Sequence, residues 1–374
     1  MQIENYPLQG GQHPETAILA NMLAHAGIVA PHTSAPYSEE MLLGLAGGIG
    51  IGYILWEFKS RHAPVLELGM RSHWHYPVRF IEGLAQRLRL SLAVHETRGM
   101  RAARDHLVQA LDANQPALVW VDLAGLPYLY LPEQMRGVQG STVGVIGIEG
   151  KLVYLDDRGA VPFAVTADEL AAARATIPSY RNRLVTLEGA GGVDLAAAIR
   201  AGLHDCATQL SAGSESFALP ALRKWARLIT DARQAKGWKR LFADRRGLYP
   251  VLRTIYEQTV AQGIRGGSLR DLYARFLREA APVVNLPALN EVAEQYRWLA
   301  LRWSNLGETA LPTASPPLRR TKELLSRRAM LLALGGNAEQ DELRAIGHEL
   351  SAIQAACDTD FPLTSAATAL LLEQ

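Results

Sequence analysis

The chain has 374 residues, of which 48% are hydrophobic and 20% charged, which predicts a folded protein of two or three domains and excludes an intrinsically disordered chain. Its 38 lysines and arginines nearly balance its 37 aspartates and glutamates, so the formal net charge is +1. Because binding to nucleic acids or to anionic membranes needs a basic surplus, this balance argues against both.

The cysteines and the N-terminal residues predict a soluble, cytoplasmic protein. Cys206 and Cys357 lie far apart in the chain, which argues against a disulfide scaffold. Residues 1–15 lack the basic and apolar segments of a secretory signal. The longest apolar run, Met41–Trp56, is shorter than the roughly 18 residues that a membrane span requires.

The first predicted helix covers residues 14–29, because apolar side chains recur there at helical spacing. Pro14 suits the first helical position, where a missing backbone N–H costs nothing. After a loop, Ser38 is a predicted N-cap, and Glu39 falls in the first turn of a short second helix. The residues "IGYILWEF" that follow are typical of a buried strand.

Strands and helices continue to alternate as far as residue 187. The continuous apolar strand "ALVWVD" ends at Asp122, and "LPYLYLP" is predicted to be extended. The segments "STVGVIGIEG" and "KLVYLDDRG" predict a hairpin with its turn near Glu149–Gly150. Thr166 and Glu169 have the spacing of a capping box at the start of the next helix.

From Asp194 onward the pattern changes to amphipathic helices separated by glycine or proline. A break rich in proline, threonine and serine at residues 309–318 precedes a final pair of helices. We therefore predict an α+β domain at residues 1–190 and an all-α domain at 191–308. The last part, residues 309–374, is predicted to be a helix pair that packs on the all-α domain.

Several segments taken together resemble a known family. They are "GQHPETAIL", "SEEMLLGLAGGIGIGY", "GMR", "ALVWVD", "LPYL", "VGVIGIEGKLVYLDD" and "TADELAAAR". In this combination the chain is similar to the N-terminal domain of the butirosin biosynthesis protein H family, acyltransferases of aminoglycoside assembly. The resemblance implies the fold of a papain-like, bacteriocin-processing cysteine peptidase. The segments "ALPALRKWARLI" and "IRGGSLRDLYARFLREAA" resemble the helical domain that commonly follows, so that the likeness spans residues 7–310.

The resemblance implies a cysteine directly after the first histidine, at a helix N-terminus that lowers the thiol pKa. It also implies a strand histidine as the base and an aspartate after the next strand that orients it. On this chain the cysteine position falls on Pro14. The histidine position falls on Ser141 or, with a one-residue shift, on Thr142, and the aspartate position falls on Asp156 or Asp157. Because proline offers no nucleophile, we expect the covalent mechanism to be lost and the binding cleft to persist.

His13, Glu39 and Asp157 are the candidate catalytic residues. At a helix N-terminus the dipole favours a neutral imidazole, which suits His13 to act as an acid or base or simply to fix the loop. The Glu39 carboxylate could bind an amine substrate or a main-chain amide. Asp157 is either the remaining member of the lost triad or a turn residue.

Glu15, Arg71, Tyr128 and Ser141 are candidates for substrate binding. Arg71 suits a clamp for a carboxylate or another anion, whereas Glu15 could instead complement the helix dipole. Tyr128 could line the cleft or be a half-buried strand aromatic.

No metal or cofactor is predicted. His73 and His75 have the spacing of one strand face, but they lack a nearby acidic third ligand. The run "GGIGIG" follows a helix rather than a strand, so it does not fit a dinucleotide-binding loop.

The leading hypothesis is a bacterial protein of specialised-metabolite biosynthesis on an acyltransferase fold without its nucleophile. It would bind an acyl or aminoacyl-type small molecule and act by non-covalent acid–base catalysis, in a condensation, cyclisation or isomerisation. The alternatives are a non-catalytic pseudoenzyme that binds a ligand or partner, and an acyltransferase with a different nucleophile. Besides the small-molecule substrate, the candidate partners are an acyl carrier protein and a second copy in a homodimer.

Overall fold

The computed structural model describes residues 1–57, 64–189, 193–260 and 268–373. The contacts divide the chain into two compact units, each made of segments that are not consecutive in sequence. Unit 1 comprises Met1–Leu42, Ala85–Leu195 and Arg328–Glu349. Unit 2 comprises Leu43–Leu84, Ala196–Arg327 and Leu350–Gln374.

The strands are β1 (Val29–Ala30), β2 (Ala35–Pro36), β3 (Ile49–Trp56), β4 (Val65–Arg71), β5 (Ser91–His95), β6 (Ala117–Asp122), β7 (Gly140–Glu149), β8 (Leu152–Asp156), β9 (Phe163–Thr166) and β10 (Leu184–Glu188). The helices as far as the end of unit 1's sheet are α1 (Pro14–His25), α2 (Glu39–Leu45), α3 (Pro77–Leu88), α4 (Met100–Asp112) and α5 (Ala167–Ala175). The later helices are α6 (Leu195–Ser211), α7 (Leu219–Thr230), α8 (Trp238–Leu241), α9 (Leu248–Thr259), α10 (Arg270–Val283), α11 (Ala288–Ala310), α12 (Pro316–Leu334), α13 (Gln340–Thr359) and α14 (Ser365–Glu373).

Unit 1 is built on a six-stranded antiparallel sheet with the strand order β5-β10-β6-β7-β8-β9. Side chains alternate between the two faces of such a sheet. One face carries Val119, Val121, Val143 and Val145, which pack with apolar side chains of α4 and α5 into one buried core. We call this side of the sheet the core face.

The opposite side of the sheet is covered by α1, and we call it the α1 face. A Cβ added at Gly144 of β7 would lie 2.9 Å from Cγ2 of Ile18, so the missing side chain lets α1 approach the strand closely. At the C-terminal end of α1, His25 Nε2 lies 3.1 Å from the carbonyl oxygen of Asn114, which precedes β6. The N-terminus of α1 therefore lies at the end of the sheet where β6 ends and β7 begins.

Most of the predicted local signals are confirmed. Pro14 occupies the first turn of α1 directly after its N-cap, and the Ser38 hydroxyl accepts from the backbone N–H of Met41 at the start of α2. Thr166 and Glu169 form a complete capping box, and β7 and β8 form the predicted hairpin. The prediction of an extended "LPYLYLP" is wrong, because this segment contains a tight 3₁₀ turn at Pro127–Leu129, after which Tyr130 has a φ of +45°.

Unit 2 combines the antiparallel pair β3–β4 with helices. The α7 helix packs on β3 through Trp225, which stacks on Tyr53 with 5.7 Å between ring centroids. The Trp238 indole donates to the Tyr53 hydroxyl at 3.0 Å. In the same unit α9 packs on β4, and α10 and α11 pack on each other. An α+β region followed by a helical region, as predicted, is confirmed.

The sequence predicts domain boundaries at residues 190 and 308. The boundary at residue 190 lies outside the described residues. Of the final helices, residues 328–349 belong to unit 1, where the Asn337 side chain bonds both backbone groups of Ala164, and the chain from residue 350 belongs to unit 2. Both cysteines are buried free thiols. No helix in the described part of the chain has the length and apolar character that a bilayer span needs.

Candidate functional site

The loop that enters α1 is fixed by the carboxylate of Glu39. Its Oε1 accepts from the backbone N–H of His13 at 2.6 Å, and both its oxygens accept from the N–H of Gln12 at 3.0 and 3.1 Å. The Thr16 hydroxyl donates a further hydrogen bond to Oε1 at 3.3 Å. Two roles were predicted for Glu39, the binding of an amine substrate and the binding of a main-chain amide. The geometry matches the second, because the carboxylate accepts from two backbone N–H groups.

Gly11 makes this arrangement possible. Its φ of +150° is unfavourable for other residues, and an added Cβ would lie 2.3 Å from Cβ of Ala17 and 3.0 Å from Oε2 of Glu39. Any side chain at this position would therefore force the loop away from the carboxylate that holds it.

The His13 imidazole is held at both nitrogens. Nδ1 accepts from the backbone N–H of Thr16 at 3.4 Å and lies 3.0 Å from the Thr16 hydroxyl. An accepting Nδ1 places the proton of the neutral ring on Nε2. Nε2 lies 2.9 Å from Oε2 of Glu15, and both side chains are about nine-tenths buried. The result is an oriented imidazole–carboxylate pair at the helix N-terminus, the geometry of an acid–base pair.

The two adjacent aspartates after β8 lie on opposite faces of the sheet. Asp156 is paired with Gly144 in the register, so it points to the α1 face, where Oδ2 accepts from Asn21 at 2.9 Å and from the Tyr6 hydroxyl at 2.8 Å. Asp157 points to the core face, where it accepts from the buried Tyr128 hydroxyl at 3.0 Å. Of the two aspartates at the predicted triad position, Asp156 is therefore the one that faces α1.

Burial dominates the electrostatics of these carboxyls. It raises the pKa of Asp156, although the hydrogen bonds from Asn21 and Tyr6 partly oppose the rise. Burial likewise raises the pKa of Asp157, and the neighbouring Arg158 opposes it. The pKa of Tyr128 lies well above its ordinary value because the hydroxyl is buried and faces Asp157. Tyr128 also stacks on Phe163 at 4.1 Å, so it belongs to the core rather than to an open cleft.

Arg158 joins Asp157 to the helix entry. Its guanidinium lies 3.2 Å from Oδ1 of Asp157 and donates to the carbonyl oxygen of Gln12 at 3.0 Å. The sequence gives no signal for this linking role of Arg158, because it depends on the fold bringing residues 12 and 158 together.

The same alternation separates Ser141 from Thr142. Ser141 is the register partner of Val121, so it lies on the core face. Thr142 is the partner of Trp120 and lies two residues before Gly144, which places it on the α1 face. Thr142 is 2% exposed, and its hydroxyl has no hydrogen-bond partner among the described residues. Of the two residues at the predicted histidine position, Thr142 is therefore the one that faces α1.

Asp122 at the end of β6 is a second polar side chain on the α1 face, near Thr142. It is fully buried, and in the described part of the chain neither carboxylate oxygen has a partner with hydrogen-bond geometry. Burial raises its pKa, partly opposed by the nearby amide of Gly137 and the charge of Arg136. The sequence carried a signal for Asp122, since a carboxylate ends an otherwise wholly apolar strand, but the sequence analysis assigned it no role.

The remaining predicted residues lie in unit 2. Arg71 is 6% exposed, donates to the carbonyl oxygen of Ser72 at 2.9 Å and lies over the Phe80 ring at 4.5 Å. His73 does not share a strand face with His75, because both follow β4 in a turn where His73 has a φ of +49°. His73 Nε2 lies 3.3 Å from Asp205.

Comparison with known families agrees with this architecture. The model described as "Butirosin biosynthesis protein H, N-terminal" matches residues 13–158. The model described as "Domain of unknown function (DUF4872)" matches residues 168–354, which is half of the chain. The chain belongs to the butirosin biosynthesis protein H-like family. None of the curated proteins searched matches it.

Membership assigns the chain to a biosynthesis-related family and confirms the resemblance stated from its motifs. The first matched region begins at His13 and ends at Arg158, so it contains the α1 entry, Asp122, Thr142 and both aspartates. The structure brings His13 into direct contact with both Glu15 and Glu39. Arg158 links Asp157, and through it Tyr128, to the carbonyl oxygen of Gln12 next to His13.

Proposed function

We propose that this protein binds an acyl or aminoacyl-type small molecule at the N-terminus of α1 and acts on it without a covalent acyl-enzyme intermediate. The observation that carries the proposal is the His13–Glu15 pair beside Pro14. The nucleophile position is filled by a residue that cannot attack, while the neighbouring imidazole is oriented at both nitrogens.

In this scheme Nδ1 of His13, which faces the Thr16 hydroxyl at 3.0 Å, takes up the proton that leaves the bound molecule and later returns it, and Glu15 at Nε2 stabilises the imidazolium that forms in between. The reaction class is a condensation, cyclisation or isomerisation, in which binding and orientation supply most of the rate. The substrate would arrive free or on an acyl carrier protein, and a homodimer is the candidate assembly. Asp157 and Arg158 act as positioning residues, because Arg158 holds the carbonyl of Gln12 next to His13.

The test is intact-protein mass spectrometry together with product analysis after incubation with a panel of aminoacyl and acyl thioesters. We expect no covalent adduct and conversion of at least one thioester faster than in buffer. His13→Ala should abolish that conversion, and Glu15→Gln should lower it. His25→Ala is the matched control, because this histidine lies at the other end of the same helix.

Two results would contradict the proposal. A stoichiometric adduct would restore covalent transfer, and peptide mapping would identify the substitute nucleophile. Full conversion by His13→Ala would remove the imidazole from the chemistry.

A second candidate function, ligand binding without catalysis, is favoured by Glu39. In an acyl-transfer site, backbone amides at a helix N-terminus stabilise the developing oxyanion. Here Glu39 occupies the amides of Gln12 and His13. This candidate predicts that a thioester raises the melting temperature of the protein while no product forms.

A further inference from the structure

Two side chains on the α1 face lack hydrogen-bond partners and lie next to each other. Asp122 and Thr142 sit on neighbouring strands, and the register makes them diagonal neighbours on one face. Asp122 is 0% and Thr142 2% exposed. Neither carboxylate oxygen of Asp122, nor the hydroxyl of Thr142, has a hydrogen-bond partner among the described residues. Native proteins rarely leave buried polar atoms unsatisfied, so a pair of them indicates a missing partner.

The end of the sheet that carries this pair is also where α1 begins. Ile18 lies over Gly144, which gives α1 and β7 a common reference point. His13 lies five residues before Ile18 along the helix, and Thr142 lies two residues before Gly144 along the strand. At about 1.5 Å per helical residue and about 3.4 Å per strand residue, both paths cover roughly 7 Å. The contact between Arg158, which follows β8, and Gln12 fixes the same end of the sheet.

Tyr180 adds a third oxygen at this position. Gly140 is the register partner of Asp122, and a Cβ added there would lie 1.8 Å from the Tyr180 hydroxyl. The absent side chain therefore makes room for the phenol directly across from Asp122. Tyr180 itself is only half-buried, which gives this group of oxygens a side towards solvent.

The cover over Asp122 is thin. Four residues have charges or amides that act on its carboxyl: Ala124, Glu133, Arg136 and Gly137. Ala124 is half-buried, and the other three are exposed. Arg136 is engaged by Glu133 at 2.8 Å. The cation nearest to Asp122 along the chain is thus already paired with another carboxylate.

An ionised carboxylate accepts hydrogen bonds only, and a buried one without donors destabilises the folded chain. A ligand that satisfies it must bring N–H or O–H donors, and a positive charge offsets the desolvation best. A primary ammonium group has three donors, which matches the carboxylate of Asp122 and the hydroxyls of Thr142 and Tyr180 in number.

We propose that Asp122, with Thr142 and Tyr180, is the binding site for a primary ammonium group of the ligand. The proposal deepens the proposed function and rests on it, since it selects an amine-bearing acyl molecule over a plain one. Asp122 is then a specificity-determining residue.

The experiment compares three probes: glycyl N-acetylcysteamine thioester, its N-formylglycyl counterpart, and glycinamide. Affinities are measured by thermal-shift titration on the full chain. Wild type should bind the glycyl thioester at least tenfold more tightly than the N-formyl compound, which lacks the charge. Asp122→Asn should abolish that preference and leave N-formyl binding unchanged, while Thr142→Val and Tyr180→Phe should reduce it. Asp105→Asn, which removes an exposed carboxylate of the same unit, is the matched control.

The outcomes separate this proposal from the proposed function. Equal binding of the two thioesters by wild type, or an undiminished preference in Asp122→Asn, would overturn the ammonium site and leave the proposed function standing. If no thioester binds but glycinamide binds in an Asp122-dependent manner, the site stands and the proposed function fails. If no probe binds and Asp122→Asn only raises the melting temperature, the carboxyl meets an ordered water only, and both fail.

Discussion

Two regions of unit 1 lie at the same end of the sheet and differ in how their polar groups are satisfied. At the entry of α1, Glu39 receives two backbone amides and a hydroxyl, and both nitrogens of His13 have partners. At the end of β6, Asp122 and the neighbouring Thr142 have no partner among the residues described.

The difference separates stability from binding. A carboxylate whose hydrogen bonds are complete holds a loop, and its removal leaves buried amides unsatisfied. A carboxylate without donors destabilises the folded chain and persists where a ligand completes it. The entry of α1 is therefore where substitutions should unfold the protein, and the end of β6 is where they should alter recognition.

The largest loss of stability is expected at the entry of α1, where the polar groups have hydrogen-bond partners. Glu39→Ala removes the acceptor of the Gln12 and His13 amides, so we expect the free energy of unfolding to fall by about 3 kcal/mol. Urea denaturation followed by circular dichroism measures this. The control is Asp168→Ala, an exposed acid in the first turn of α5, which should cost less than about 0.5 kcal/mol. Equal effects of the two substitutions would show that the contacts of Glu39 contribute nothing beyond an ordinary helix-dipole effect.

A matched pair of asparagine substitutions sharpens the comparison. Asp156→Asn introduces a donor facing Asn21 and the Arg158 amide, so it should destabilise the fold by about 2 kcal/mol. Asp122→Asn removes a buried charge that has no partner with hydrogen-bond geometry among the described residues, so it should leave stability unchanged or raise it. The same denaturation curves test both variants, and a loss of stability in Asp122→Asn as large as that in Asp156→Asn would remove the distinction between the two regions.

The smallest effect is expected in how the stability of Asp122→Asn, compared with that of wild type, depends on pH. Burial raises the pKa of Asp122, so below its ordinary pKa the carboxyl is protonated in both the folded and the unfolded chain and carries no penalty. As the pH rises towards the raised value, the unfolded chain ionises first and the folded wild type loses stability. We expect the melting temperature of Asp122→Asn to exceed that of wild type at pH 7, with the gap closing near pH 4. A gap that is constant with pH would mean that the pKa of Asp122 is not raised.

The local elements and the family were predictable from the sequence because their signals are local. Pro14 at the first helical position, the Ser38 cap, the Thr166–Glu169 capping box and the hairpin at Gly150 depend on neighbouring residues, and all were confirmed. The prediction for the "LPYLYLP" segment failed because an apolar pattern does not distinguish a strand from a 3₁₀ turn when prolines are present.

The candidate site was predictable only in part. The sequence identified His13, Glu15 and Glu39 as residues near helix starts. The His13–Glu15 contact is local, whereas the structure joined Glu39 to the α1 entry through contacts between residues 23 to 27 apart in the chain. In the pairs Ser141/Thr142 and Asp156/Asp157, the position along the strand determines which side chain lies on the α1 face, because a shift of one residue moves a side chain to the other face.

What the sequence by itself determined about this protein is its family, since the motifs that mark it are short local segments. It also determined the α+β and helical regions, because periodicity and caps act over a few residues. Only the tertiary structure decided which polar groups are satisfied. Hydrogen-bond partners such as Glu39 and Gln12, or Asp156 and Tyr6, are distant in sequence, and whether a buried carboxyl like that of Asp122 has a donor depends on every element packed around it.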